Sequence, residues 1–239
     1  MANFGDRIAK HSMRSLSGAM NLLQLLDYAG VAVFAATGAL AASRKQLDII
    51  GFIFLAILAA VGGGTVRDVI LGQTPVFWVS QPNYLLVASG TAILVYFTAH
   101  LVWSRYLWLL WLDTIGLAAY CVIGAAKGLA LGVPAPIAVV AGVMTATFGG
   151  ILRDIVAGEP SVLMRPEIYV TAALAGASIY TVLVGAGVPA GIAAIIAVAC
   201  AFVVRGGALH FGWKFPTYKA RAGRGLDEVE KIIKPKKKG

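Results

Sequence analysis

The sequence predicts an all-α membrane protein of seven transmembrane helices, built as two inverted three-helix repeats followed by a seventh helix. Three observations carry that prediction. Hydrophobic residues make up 59% of the 239 and charged residues only 13%, too little polar surface to clothe a fold in water. The apolar residues gather into seven runs, each close to the roughly 20 residues a helix needs to cross a hydrocarbon core. A Gly-Gly-x-x-Arg-Asp sequence also occurs twice, 86 positions apart.

The runs cover 22–42, 48–70, 84–103, 106–130, 134–157, 168–186 and 188–204. In lipid each segment must satisfy its own backbone groups, and none of the runs alternates strictly as a barrel strand would, so helices are expected. The chain then divides into an N-terminal tail (1–21), repeat 1 (22–104), repeat 2 (105–187), a seventh helix (188–205) and a basic cytoplasmic tail (206–239). The first run follows Arg7, Lys10 and Arg14 and ends in Leu40-Ala41-Ala42-Ser43, which imitates a cleavable signal peptide. Asp27 inside the run argues against cleavage, as does the repeat, which cleavage would truncate.

The formal charge is +9, and its placement matters more than its sum. Arg205, Lys214, Lys219, Arg221, Arg224, Lys231, Lys234 and Lys236 to Lys238 follow the last run, reading as a cytoplasmic tail beside anionic lipid rather than a nucleic-acid patch. Arg44, Lys45, Arg105 and Arg165 fall on the same side as that tail, whereas the opposite loops carry almost no cations apart from Lys127. The N-terminus is therefore expected outside and the C-terminus in the cytoplasm, in the inner membrane of a prokaryote, with Arg7, Lys10 and Arg14 dissenting.

The duplication justifies the repeats. A shift of 86 aligns Asp27 with Asp113, Gly30 with Gly116, Gly38 with Gly124, Gly63-Gly64 with Gly149-Gly150, Arg67-Asp68 with Arg153-Asp154 and Gly72 with Gly158; after a one-residue slip, Tyr84 meets Tyr169. Matched glycines are weak witnesses in a membrane protein, but each charge costs about 2.5 to 3.5 kcal/mol at the centre of a span on insertion scales. Matched charges therefore mark a true duplication. Three spans per copy turn the second copy upside down, and such repeats place a pathway at their interface, here between spans two and five.

The candidate site lies on those two spans. Gly62, Gly63 and Gly64, with Gly149 and Gly150, read as kinks whose freed carbonyls line a polar cavity; a small-residue seam for close helix packing is the other reading. Arg67 and Asp68 are adjacent, as are Arg153 and Asp154, so each pair points about 100 degrees apart on a helix. Partners are accordingly expected elsewhere: Asp154 or Asp113 for Arg67, and Asp68 or Asp27 for Arg153. These charges serve either as pore or gating groups or as ion pairs that lock the repeats together. Asp27 and Asp113 are gating candidates or interfacial caps, and Thr37, Thr65, Tyr120, Thr145 and Thr147 are possible pore-lining residues.

Catalysis is not expected. His11, His100 and His210 are scattered, Cys121 and Cys200 lack metal-ligand spacing, and the glycines fit neither a dinucleotide fingerprint nor a phosphate loop. No cofactor or resident metal is anticipated.

The segments Ala60-Val61-Gly62-Gly63-Gly64-Thr65-Val66-Arg67-Asp68 and Phe148-Gly149-Gly150-Ile151-Leu152-Arg153-Asp154, each on the second helix of a repeat, resemble prokaryotic members of the trimeric intracellular cation (TRIC) channel family. The resemblance spans roughly 22–205 and excludes the basic tail. It implies a homotrimer with a pore in each subunit, lined by glycine-kinked second and fifth helices and passing potassium and sodium. Animal members carry a lysine motif tied to phosphoinositide lipid after the first kink; Thr65-Val66-Arg67-Asp68 stands here in its place, and the resemblance stops short of that motif. The same bacterial domain group is also labelled glycine transporter. A zwitterionic amino acid would suit facing Arg and Asp groups, whereas an unpaired arginine would repel cations. A scaffold that transports nothing is the third reading, and it requires a dry interior.

Overall fold

The computed structural model describes residues 27–161 and 168–214. Calls that rest on 1–26, 162–167 or 215–239, among them Arg165 and most of the basic tail, lie outside those residues. Among the described residues there are seven long helices: α1 (27–44), α2 (Ile49–Ile70), α3 (Asn83–Thr98), α4 (Arg105–Ala130), α5 (Ala135–Val156), α6 (Val170–Gly185) and α7 (Ala190–Phe211). Five helical stretches, α2, α3 with its short 3-10 extension to Leu101, α4, α5 and α7, are long and apolar enough to cross a membrane, and α6 is a shorter apolar helix. The chain is an integral, all-helical membrane protein.

Local chemistry sets the helix ends. The Asp48 carboxylate accepts from Gly51 N at 2.8 Å and Ser104 Oγ accepts from Leu107 N at 3.3 Å, capping α2 and α4. Gly72 and Gly158 stand just past α2 and α5 with φ of 66° and 62°, the left-handed conformation that ends a helix most cheaply at glycine. A single helical turn, Phe77–Ser80, sits between α2 and α3 and was not foreseen.

The packing is inverted relative to a water-soluble bundle. Small residues fill the helix seams, including Ala35, Ala39, Ala56, Ala88, Ala138, Ala172, Ala197 and Ala201, while Ile50, Phe54, Leu86, Leu94, Ile195 and Val203 face outward. Lipid is as apolar as leucine, so helices gain by approaching closely through small side chains rather than by hiding large ones. α2 packs on α5 and α3, and α4 is central, touching α5, α6 and α7.

One boundary corrects the sequence reading. α7 continues to Phe211, well past the expected end at 204–205, so Arg205 lies within the helix rather than at its end and is 1% exposed. Its Nη1 donates to the Ile168 carbonyl at 3.2 Å and its guanidinium lies over the Tyr169 ring at 5.1 Å. An arginine supplied with a carbonyl and an aromatic face does not terminate a span.

Candidate functional site

Helices α2 and α5 cross at their glycines, and the crossing is reciprocal. A Cβ on Gly63 would overlap the Thr145 carbonyl oxygen, and a Cβ on Gly149 would overlap that of Ala59; Thr145 and Ala59 are themselves 86 positions apart. The pattern recurs at α1 and α4, where Gly30 lies against the Tyr120 ring and Gly116 against the Phe34 ring, with those two rings edge to face at 5.3 Å. Helical assignment runs unbroken through 62–64 and 149–150. Gly63 and Gly149 thus let the two backbones approach closely, while Gly64 and Gly150 make room for the Phe77 ring and the Tyr169 hydroxyl.

Beside the crossing lies a cavity of about 240 Å³. Asp27, Arg67, Tyr84, Tyr120, Lys127 and Thr145 are among its lining residues, and exposed Ser80 and Gln81 mark its mouth. Asp27 accepts from the Tyr84 hydroxyl at 2.5 Å and from the Tyr120 hydroxyl at 3.1 Å. Asp68 Oδ1 accepts from Arg67 Nε at 2.9 Å and lies 2.8 Å from Lys127 Nζ, while its Oδ2 takes the Phe77 backbone N–H at 3.0 Å. The ion pair of Arg67 among the described residues is with Asp68, and its guanidinium is 5.9 Å from the Phe77 ring centre.

The second copy of the motif is arranged differently. Arg153 is fully buried and holds two carboxylates, Asp113 through Nη1 at 2.7 Å and Asp154 through Nε at 2.9 Å, and Nη1 also donates to Thr37 Oγ1 at 2.9 Å. The Tyr169 hydroxyl, Asp113 Oδ1 and Arg153 Nη2 converge on Gly150, at 2.7, 3.2 and 3.5 Å from where its Cβ would stand. Exposures of 0% for Arg153, 2% for Asp113 and 1% for Tyr169 shut the cluster off from bulk solvent.

These contacts correct the expected pairing. Arg67 does not reach Asp154 or Asp113, nor Arg153 Asp68 or Asp27; each arginine curls back onto the aspartate beside it. A 100-degree separation at the Cβ atoms is spanned because an arginine carries its charge on a long side chain. Asp113 does join Arg153, but across α4 and α5 of one repeat. Of the pore-lining candidates, Tyr120 and Thr145 line the cavity. Thr37 serves Arg153, Thr147 donates to the Val143 carbonyl at 2.8 Å, and Thr65 is held between the Val61 carbonyl and Trp78 Nε1, at 2.7 and 2.9 Å.

Four further residues matter that the sequence reading used only for alignment, for charge topology or not at all: Tyr84, Tyr169, Phe77 and Lys127. The tyrosines had a signal, since they match across the repeats. Lys127 had one as well, as a cation where the first copy has Ala41.

A buried, charge-paired motif on two crossing helices of an all-helical membrane bundle defines a protein of the TRIC channel fold. A TRIC trimeric intracellular cation channel orthologue from Rhodobacter sphaeroides superposes with a TM-score of 0.78 at 48% identity, covering 80% of this chain and 99% of that one. A prokaryotic TRIC channel crystallised in 0.5 M KCl gives 0.76 at 25% identity over 82% of this chain and 100% of its own. The chain belongs to the family described as Glycine transporter, whose model matches residues 24–100 and again residues 110–185. The two matches begin 86 positions apart, the same shift that aligns the charges. It is also 39% identical over 203 residues to a UPF0126 membrane protein of Vibrio cholerae, covering 83% of each, and 37% identical to the inner membrane protein YadS of Escherichia coli K12, covering 82% of this chain and 96% of that one.

Proposed function

We propose that the chain is one subunit of a homotrimeric channel for potassium and sodium in a bacterial inner membrane, with a conduction pathway inside each subunit between α2 and α5. Seven spans form two inverted repeats, α1–α3 and α4–α6, with α7 outside the duplication. The reciprocal contacts of Gly63 with Thr145 and Gly149 with Ala59 support the twofold relation, as does the odd number of helices per copy. The N-terminus lies outside and the C-terminus in the cytoplasm. Trimerisation and cation permeation rest on the neighbours of like fold, which are trimeric cation channels.

The observation that carries the reading is the polar cavity beside the glycine crossing. It is a vestibule, and Asp27 is the carboxylate that lines it, held by the Tyr84 and Tyr120 hydroxyls. The objection that arginines repel cations loses force, because Arg67 and Arg153 are each held by aspartate. Conduction requires α2 and α5 to bend at Gly62 to Gly64 and at Gly149-Gly150, widening the crossing they now close. One observation favours a second reading: the cavity is lined by the Asp27 carboxylate together with the cationic Arg67 and Lys127, a set that suits a zwitterion such as glycine.

Recording from purified protein in planar bilayers under opposed potassium and chloride gradients tests the proposal. Discrete steps that reverse near the potassium potential and change size with Asp27→Asn establish the channel. Electrical silence combined with saturable uptake of labelled glycine into proteoliposomes would replace it with the transporter.

A further inference from the structure

Beyond the two motifs, the residues at matched positions differ in charge. Around the buried Arg153 end, Arg44 Nη1 pairs with Glu159 Oε2 at 2.8 Å, Lys45 Nζ stands 3.9 Å from the same carboxylate, and the Arg44 guanidinium covers the Tyr106 ring at 4.6 Å. Arg105 adds a bond from Nη1 to the Ser43 carbonyl at 3.5 Å. Together these tie the end of α1 to the end of α5 and the start of α4. They lie two helical turns along α1 from Thr37, the residue that touches Arg153.

At the cavity the counterparts are different residues. A shift of 86 places Ala130 where Arg44 stands, Leu131 where Lys45 stands and Gln73 where Glu159 stands. Gln73 and Glu159 are structurally matched, each donating its backbone N–H to the carbonyl of the motif aspartate, Asp68 or Asp154, at 2.7 and 2.9 Å. The backbone is therefore repeated while the ion pair is not. The half without the pair is the one that holds the cavity.

We propose that Arg44 and Glu159 form a latch over a second mouth, which leads to a site of Asp113, Arg153 and Tyr169 equivalent to the cavity around Asp27, Arg67 and Tyr84. This rests on the reading that a pathway runs through the subunit. The same motif is present in the protein in two pairings, one with Arg67 on its neighbouring aspartate and one with Arg153 bridging to Asp113 as well. Arg153 already holds Asp154 as Arg67 holds Asp68, each through Nε to Oδ1 at 2.9 Å. Releasing Asp113 thus leaves Arg153 with one carboxylate, the state in which Arg67 is found. Once the latch opens, Asp113 becomes the second carboxylate of the path, facing a monovalent cation or the ammonium of a zwitterion.

The test is thiol accessibility in proteoliposomes, in a background carrying Cys121→Ala and Cys200→Ala. Thr37→Cys reports on the closed site, with Tyr169→Cys as the second reporter if the first does not fold. A membrane-impermeant maleimide is applied from the Arg44 face. Glu159→Gln and Arg44→Glu are each expected to raise the labelling rate about two- to fivefold, the population shift that loss of a half-exposed ion pair permits. The double exchange of Arg44→Glu with Glu159→Arg is expected to return it to the starting rate. Labelling that is unchanged in the single variants overturns the latch, as does a double exchange that stays as reactive as either single. The readout needs neither current nor uptake, so a protein that is electrically silent but labels as expected sinks the channel and leaves the latch standing.

Discussion

Arg67 and Arg153 begin the same Arg-Asp dipeptide on helices that cross each other, yet one lines a cavity and the other is fully buried among Asp113, Asp154 and Thr37. Their surroundings differ by few residues. Tyr120 in one half has Phe34 as its counterpart, Lys127 has Ala41, and Glu159 has Gln73. In the half with the cavity Asp27 is occupied by two tyrosine hydroxyls and Asp68 by a lysine as well as an arginine, so Arg67 stays on Asp68. In the buried half the counterpart of Tyr120 has no hydroxyl to offer Asp113, and Arg153 supplies the missing donor. A duplicated scaffold thus holds two electrostatic arrangements, selected by single side chains at matched positions.

Removing the arginines probes this difference most severely. Arg153→Met leaves Asp113 and Asp154 buried together without a cation, a loss of about 3–5 kcal/mol, and is expected to abolish the monodisperse peak on gel filtration in detergent. Arg67→Met leaves Lys127 on Asp68 and a cavity that water can fill, so it is expected to stay folded with a modest drop in melting temperature. Equal damage from both would mean that the halves are energetically alike.

The crossing should behave in the opposite way, symmetrically. Gly63→Ala and Gly149→Ala each force a methyl group into a carbonyl oxygen of the partner helix, at a cost of about 1–3 kcal/mol, and the two melting temperatures are expected to fall together. Gly62→Ala meets only the Leu152 Cδ1 at 3.0 Å and serves as the mild control. The smallest effect belongs to Lys127→Met, which removes a cation from the cavity and leaves Asp68 with Arg67 and the Phe77 N–H. Unitary cation conductance is expected to rise by up to about fivefold, corresponding to the ~1 kcal/mol a unit charge exerts at 4 Å in a water-like medium. A conductance that stays constant would place Lys127 off the path.

Much of the architecture was legible because lipid makes its demands locally. A charge inside a span is expensive wherever the span packs, so the recurrence of Arg67-Asp68 as Arg153-Asp154 carried the duplication without any structure. The helix limits were read from apolar length, and the reading failed where packing supplied what lipid would not: Arg205 lies inside α7 because the Ile168 carbonyl and the Tyr169 ring receive it. The single turn at Phe77–Ser80 had no periodic signal, yet it delivers the backbone N–H that binds Asp68.

Pairing was the harder problem. Helical geometry says where a Cβ points but not how far an arginine bends, which is why Arg67 and Arg153 were assigned distant partners and turned out to hold adjacent ones. Membrane insertion, helical structure and the duplicated charges follow from residue chemistry and chain order, since each is governed by the free energy of a segment in lipid. Which carboxylate each arginine holds, and which half keeps a cavity, depends on groups brought together from α1, α2, α4 and α5, and their energies do not exist until those helices pack.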